Sequence, residues 1–329
     1  MALKAPDIPH LDGRDRALRE LGFRPYEAAW LTLVCLHSAV FTRTQFTEHH
    51  SCDRKTTARF VTPLIDRGVA KEHPLPDHDT RLRYTHVFNR GIYRALGKDI
   101  EHVRHRRKPK EDVVLFRRLL SLDHVVQHPD LPWLATEQEK VDHFTARGVR
   151  RDLLPKRRYG GSAKRTLRYF AHKLPIAADE KSATFVYVDP GRRTDKELQS
   201  WAAEHRALWA RLRALGTEVR VAAVARTVAK QGELSRKVAA WTKSTPGGAE
   251  PLTSEERETL AVLAAAVRQT ATTGDPRPCA PWGGFNPARR VLIALRQRAD
   301  AEDSGDASGA VIDAYSTHHA RGLSPQALA

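Results

Sequence analysis

From Pro25 onward the chain packs apolar residues densely: Tyr26-Glu27-Ala28-Ala29-Trp30-Leu31-Thr32-Leu33-Val34-Cys35-Leu36. The density exceeds what one helix face can hold. A proline in the first turn opens the segment, so it is expected to be the buried helix of a small bundle. A polar lead-in over residues 1–24, with a short helix from Arg14 to Leu21, precedes it. Phe41-Thr42 breaks the period, and a short helix from Arg43 to His49 follows. Ser51-Cys52-Asp53 supplies caps for a third helix, Arg54 to Arg67, which Gly68 ends. Phe60, Leu64 and Ile65 form its apolar face. Val69 to Leu75 reads as a strand, Pro76 to Arg81 as a turn, and Leu82 to Phe88 alternates as a second strand.

Further along, Asp112 to His124 and Thr136 to Ala146 carry helical patterns, the second opened by the capping-box pattern Thr136-Glu137-Gln138-Glu139. After Gly148 the pattern becomes strand-like at Leu153-Leu154-Pro155, Leu167 to Leu174 and Ala183 to Val188. A long amphipathic helix, Asp195 to Leu215, closes at Gly216 and leads into a strand, Glu218 to Ala225. This order predicts a mixed α/β unit over 150–245. Pro246-Gly247-Gly248 marks a linker. The remaining 246–329 is expected to be a tail of two helices, Ser254 to Thr270 and Pro287 to Ala299, with a mobile Gly/Ser/Asp-rich end. Trp201 and Trp209 form a stripe with Leu198, Leu208, Leu212 and Leu215, read as core, with a dimer face as the alternative.

Charge changes the picture. The 329 residues carry 55 Lys+Arg against 39 Asp+Glu, a net +16, with a pI near 10.1. Residues 101–173 hold 18 basic against 9 acidic side chains, whereas 246–329 hold 8 against 10. A basic excess concentrated in one region is the footprint of a nucleic-acid binder. Two runs carry it: Arg104 to Lys110 within a basic connector over 101–149, and Arg147 to Arg165. Mean hydropathy is −0.52, and no apolar run approaches the length of a membrane span. The N-terminus lacks an apolar signal core, and three widely spaced cysteines argue against a disulfide framework. A soluble, cytoplasmic protein is expected.

The order helix, helix, helix, strand, turn, strand over 25–97, with the junction Leu64-Ile65-Asp66-Arg67-Gly68-Val69, resembles a bacterial winged helix-turn-helix DNA-binding domain. That resemblance makes the third helix the reading element, with Arg54, Lys55, Thr56, Thr57 and Arg59 as base or phosphate contacts. Arg43, and Arg81 and Arg83 of the wing, are expected to touch the backbone. Arg106, Arg107, Lys156, Arg157 and Arg158 are further phosphate contacts on charge grounds.

The stretch Lys173-Leu174-Pro175-Ile176, then Phe185-Val186-Tyr187-Val188-Asp189-Pro190-Gly191, resembles the core of the PD-(D/E)xK nuclease superfamily. It is most similar to the replication-relaxation family of plasmid and mobile-element proteins, which pairs a winged helix with such a core. The family places carboxylates where this chain has Ile176 and Tyr187, so only Asp189 and Gly191 match. A competing set, Asp152 with Asp179 and Lys181, fits the D…(D/E)-x-K spacing loosely, although Asp179-Glu180-Lys181 reads as a turn. Metal-dependent cleavage needs at least two convergent carboxylates.

The leading expectation is an α+β protein with an N-terminal winged helix-turn-helix (25–100), a nuclease-like α/β domain without activity (150–245) and a helical tail. It would bind double-stranded DNA as a homodimer and regulate transcription in a plasmid, phage or mobile element. The alternatives are a Mg²⁺-dependent endonuclease using Asp152, Asp179 and Lys181, and a replication or relaxation accessory protein. No cofactor or metal is expected: His49-His50 with Cys52 lacks a second pair at finger spacing, and His318-His319 falls in the mobile tail.

Overall fold

Ten residues of one helix, from Ala28 to His37, are all buried, which explains the dense apolar run after Pro25. The computed structural model describes residues 8, 11, 13–77, 82–97, 108–159, 166–191, 195–242, 252–303, 311–320 and 323. The chain is mixed α+β. Its first half builds α1 (Asp15–Glu20), α2 (Pro25–His37), β1 (Val40–Thr42), α3 (Arg43–His50), α4 (Arg54–Asp66), β2 (Ala70–Pro74), β3 (Arg83–Val87) and α5 (Arg90–Ala95). The three strands form an antiparallel sheet in the order β1-β3-β2, with Val40 opposite His86 and Ala70 opposite Val87. Trp30 stands at the centre of this unit, edge-on to Phe41 and Phe46, and Phe46 stacks on Phe60 of α4 at 4.5 Å.

The link to the second half is α6 (Asp112–Gln127), which packs on α2 and β1 and also on β7 and β8 below. After α7 (Glu137–Ala146) and a hairpin of β4 (Lys156–Tyr159) and β5 (Thr166–Tyr169) comes a second sheet. It consists of β6 (Ile176–Ala178), β7 (Ser182–Asp189), β8 (Glu218–Ala225) and β9 (Ala314–His319), in that spatial order. β6 is antiparallel to β7, whereas β7, β8 and β9 run parallel. Helix α8 (Asp195–Ala214) makes the β7-to-β8 crossover. The five residues from Phe185 to Asp189 are all buried, as expected of a central strand covered on both faces. Trp201 and Trp209 of α8 are 1% and 0% exposed, so with Leu198, Leu208 and Leu212 they belong to this core, whereas Leu215 at the end of the stripe is exposed.

Between β8 and β9 lie α9 (Val228–Ala239), α10 (Ser254–Thr273) and α11 (Phe285–Asp303). The last two form a hairpin over a small core of their own, including Leu263, Cys279, Ala288 and Leu292. Arg298 pairs with Glu256 across it.

Several expectations are corrected. Leu153-Leu154-Pro155 forms no strand, Leu153 closing a 3-10 turn over Arg151–Leu153, and the strand expected over Leu167 to Leu174 ends at Tyr169. Residues 228–239, which carry no prediction, form α9. The largest correction concerns the C-terminal stretch. Ala314–His319 is an ordered strand pairing along β8, so the sheet extends beyond the expected boundary at 245. Its tether is Asp313, whose carboxylate accepts from Val219 N–H at 2.8 Å and from Arg213 at 2.9 Å. Among the described residues, no helix is long and apolar enough to cross a membrane.

Candidate nucleic-acid interface

Helix α4 is set by its ends and its period. The Asp53 carboxylate accepts from Thr56 N–H at 2.6 Å, capping the first turn, and the helix stops at Gly68, whose φ of 64° suits a residue without a side chain. Thr57, Phe60, Val61 and Leu64 are buried at the i, i+3, i+4, i+7 spacing of one face. The opposite face therefore projects Arg54, Lys55, Arg59 and Thr62 into solvent. Among the described residues, no salt bridge engages Arg54, Lys55 or Arg59, although the Asp53 carboxylate is near enough for Arg59 and Lys55 to help lower its pKa.

Two residues expected at the interface have other work. Thr57 is 1% exposed, and its hydroxyl lies 2.8 Å from that of Thr47 and 3.3 Å from the Asp53 carbonyl. It faces α3, not solvent, because the helix period puts position 57 beside Phe60 and Val61. Arg43 is held in a two-bond pair with Glu72, at 2.7 and 3.1 Å, which pins α3 to β2. Thr56 is half-buried beside the cap. Arg83 is exposed at the start of β3, opposite Pro74, whereas Arg81 lies outside the described residues. Thr62 of α4 and Lys71 of β2 are further exposed polar groups of this unit that were not expected. The helical period could have identified Thr62. Nothing local indicates Lys71.

The second basic region is partly neutralised. Arg106 and Arg107 lie outside the described residues. On β4, Lys156 donates to the Asp152 carbonyl at 3.0 Å, and Arg157 is paired with Glu204 of α8. The Glu204 carboxylate raises the Arg157 pKa above its ordinary value, so this side chain is structural in the first instance. Arg158 remains exposed beside them.

The residues of the nuclease alternative are each used locally. The Asp179 carboxylate accepts from Lys181 N–H at 2.7 Å and Ser182 N–H at 2.8 Å, closing the turn between β6 and β7, and these bonds lower its pKa. Asp152 sits in the 3-10 turn, paired with Arg150 at 3.0 Å. Lys181 is exposed in the same turn as Asp179. Neither carboxylate belongs to a group of three or more possible metal ligands among the described residues. Ile176 and Tyr187 are 3% and 0% exposed, core side chains with no carboxylate.

His49 and His50 pack their rings against Trp30 and Phe46. Burial pushes both ring pKa values down to about 4. They are wall material for the core of the first unit. Comparison of the chain with family models, curated proteins and solved structures found no match.

Proposed function

We propose that the protein binds double-stranded DNA in a sequence-specific manner without cutting it, with residues 25–97 acting as a winged helix-turn-helix. The observation that carries this reading is the solvent face of α4, where Arg54, Lys55 and Arg59 stand exposed on a helix locked from behind by α3 and the sheet. Such a helix is rigid enough to enter a major groove, and its basic side chains suit guanine edges and phosphates. The order α2, β1, α3, α4, β2, β3, with the β2–β3 hairpin beside α4, supports the same reading.

The order of the β6–β7–α8–β8 unit supports reading it as a nuclease-like scaffold, and the buried Ile176 and Tyr187 favour a role as a platform. Together with the basic residues of 101–173, it would add phosphate contacts that strengthen binding to any sequence. By its resemblance to mobile-element proteins, the chain would serve as a cytoplasmic transcriptional regulator.

The test is the ratio of specific to random-sequence affinity, measured on fragments of the native genomic neighbourhood. Replacing Arg54 or Lys55 with Ala should cost about 1–3 kcal/mol at the base concerned and relax preference there. Wild-type ratios in both variants, or Mg²⁺-dependent cutting of the DNA, would overturn the proposal.

A further inference from the structure

His124 and His128 lie four residues apart on α6, so their rings share one helix face. Strand β9 brings His318 against the same face, and the three ring centroids lie 4.3, 4.8 and 5.0 Å apart. One nitrogen from each ring can be chosen so that all three lie within 4.8 Å of one another. We propose that His124, His128 and His318 form a binding site for a zinc-class divalent transition-metal ion that fastens β9 to α6.

Four features support the assignment. First, the donors are three imidazoles with no carboxylate among them, a set that suits Zn²⁺, Co²⁺, Ni²⁺ or Cu²⁺ and not the hard cations Mg²⁺ and Ca²⁺. Second, the outer partners set ring orientation. His128 Nδ1 lies 2.8 Å from the His124 carbonyl and must donate to it, leaving Nε2 with a free lone pair. His318 Nε2 lies 3.0 Å from the Ser316 hydroxyl. Third, Nδ1 of His124 is fully buried and has no hydrogen-bond partner in a residue only 2% exposed, a cost that a metal bond would remove. Fourth, the wall is firm: Trp133 lies edge-on to His124, and its indole N–H donates to the His128 carbonyl at 2.8 Å.

A tetrahedral ion with bonds of about 2.0–2.1 Å needs its nitrogens about 3.4 Å apart, so the cluster must contract by roughly 1 Å. His128 and His318 are only half-buried and can rotate inward. Their exposure also leaves the fourth position to water.

An ion here would act on the fold at a distance in sequence. α6 spans both halves of the molecule, and along the chain β9 is separated from β8 by the α9–α11 excursion. Metal binding would therefore close the sheet edge onto the helix that touches both α2 and β8.

The experiment is a Co²⁺ titration of tag-free, chelator-treated full-length protein, followed by visible absorption and thermal melting. One equivalent per chain should produce the d–d bands of a four-coordinate ion and raise the Tm. His318→Asn and His128→Gln should each abolish both effects while leaving the circular-dichroism spectrum unchanged, and His73→Ala should change neither. If either cluster variant fails to fold, metal protection of His128 against diethyl pyrocarbonate in the wild type decides instead. Absent saturable binding, bands that survive in His318→Asn, or no protection of His128 would each overturn the site.

Discussion

The hydroxyls of Thr47 and Thr57 lie 2.8 Å apart, joining α3 to α4 behind the exposed face of α4. Thr47 also donates to the Arg43 carbonyl at 2.9 Å, so within the pair it accepts and the Thr57 hydroxyl donates, a short polar chain in an otherwise apolar contact. Its neighbours are Phe46 and Phe60, stacked with an interplanar angle of 15°. The angle between the two helices is thus held by both an aromatic stack and a hydrogen bond.

Thr57→Val should therefore lower stability by about 1–2 kcal/mol, because it removes a buried hydroxyl whose partner stays behind. Arg59→Ala, two residues away on the solvent face, should stay within about 0.5 kcal/mol of wild type. Urea denaturation of both variants separates the two faces of α4. Equal losses would mean that the helix is not oriented as described.

Arg43 and Arg54 look alike in sequence and should behave oppositely. Arg43→Gln breaks the pair with Glu72 and should cost about 1 kcal/mol of stability, with the salt dependence of DNA binding unchanged. Arg54→Ala should leave stability alone and, where it contacts phosphate, reduce the salt slope by about one unit. Affinity measured across a salt series, beside denaturation curves, distinguishes them.

His205 is fully buried in α8, and burial pushes its ring pKa down to about 4 from an ordinary 6.5. Between those values the unfolded chain takes up a proton that the folded chain refuses. Stability must then fall as pH drops through that window, by about 3 kcal/mol from this residue, with no further change from it below pH 4. His205→Phe should flatten that part of the profile. A stability–pH curve of unchanged slope would show that the ring is reached by solvent.

Asp313 anchors the start of β9 through Val219 and Arg213. Asp313→Ala removes the acceptor of the Val219 N–H and one partner of Arg213, and should cost about 1–3 kcal/mol. Amide exchange in residues 314–319 should quicken while that in β7 stays slow. Uniform loss of protection would indicate that β9 is not a separately anchored strand.

Local physics explains most of what could be read from the chain alone. The order of elements from Pro25 to Val87 follows from caps at Asp53 and Thr42, a stop at Gly68 and apolar spacing along each segment, all properties of neighbouring residues. The strand Glu218–Ala225 matches its predicted bounds, since its buried part from Val221 to Ala225 reads as an unbroken apolar run. Side-chain partnership is different. Arg43, Thr57 and Arg157 have the composition of DNA contacts, yet Glu72, Thr47 and Glu204 claim them from other elements, and no spacing rule foresees those meetings. β9 was hidden for the same reason. Ala314–His319 is polar and half-exposed, without a strong periodic signal, and becomes a strand because the edge of β8 offers hydrogen bonds. The three-histidine cluster required both kinds of information. The spacing of His124 and His128 is a local fact about one helix, whereas His318 reaches them only after the sheet has folded back across α6, because ligands are gathered by tertiary contact and not by order along the chain.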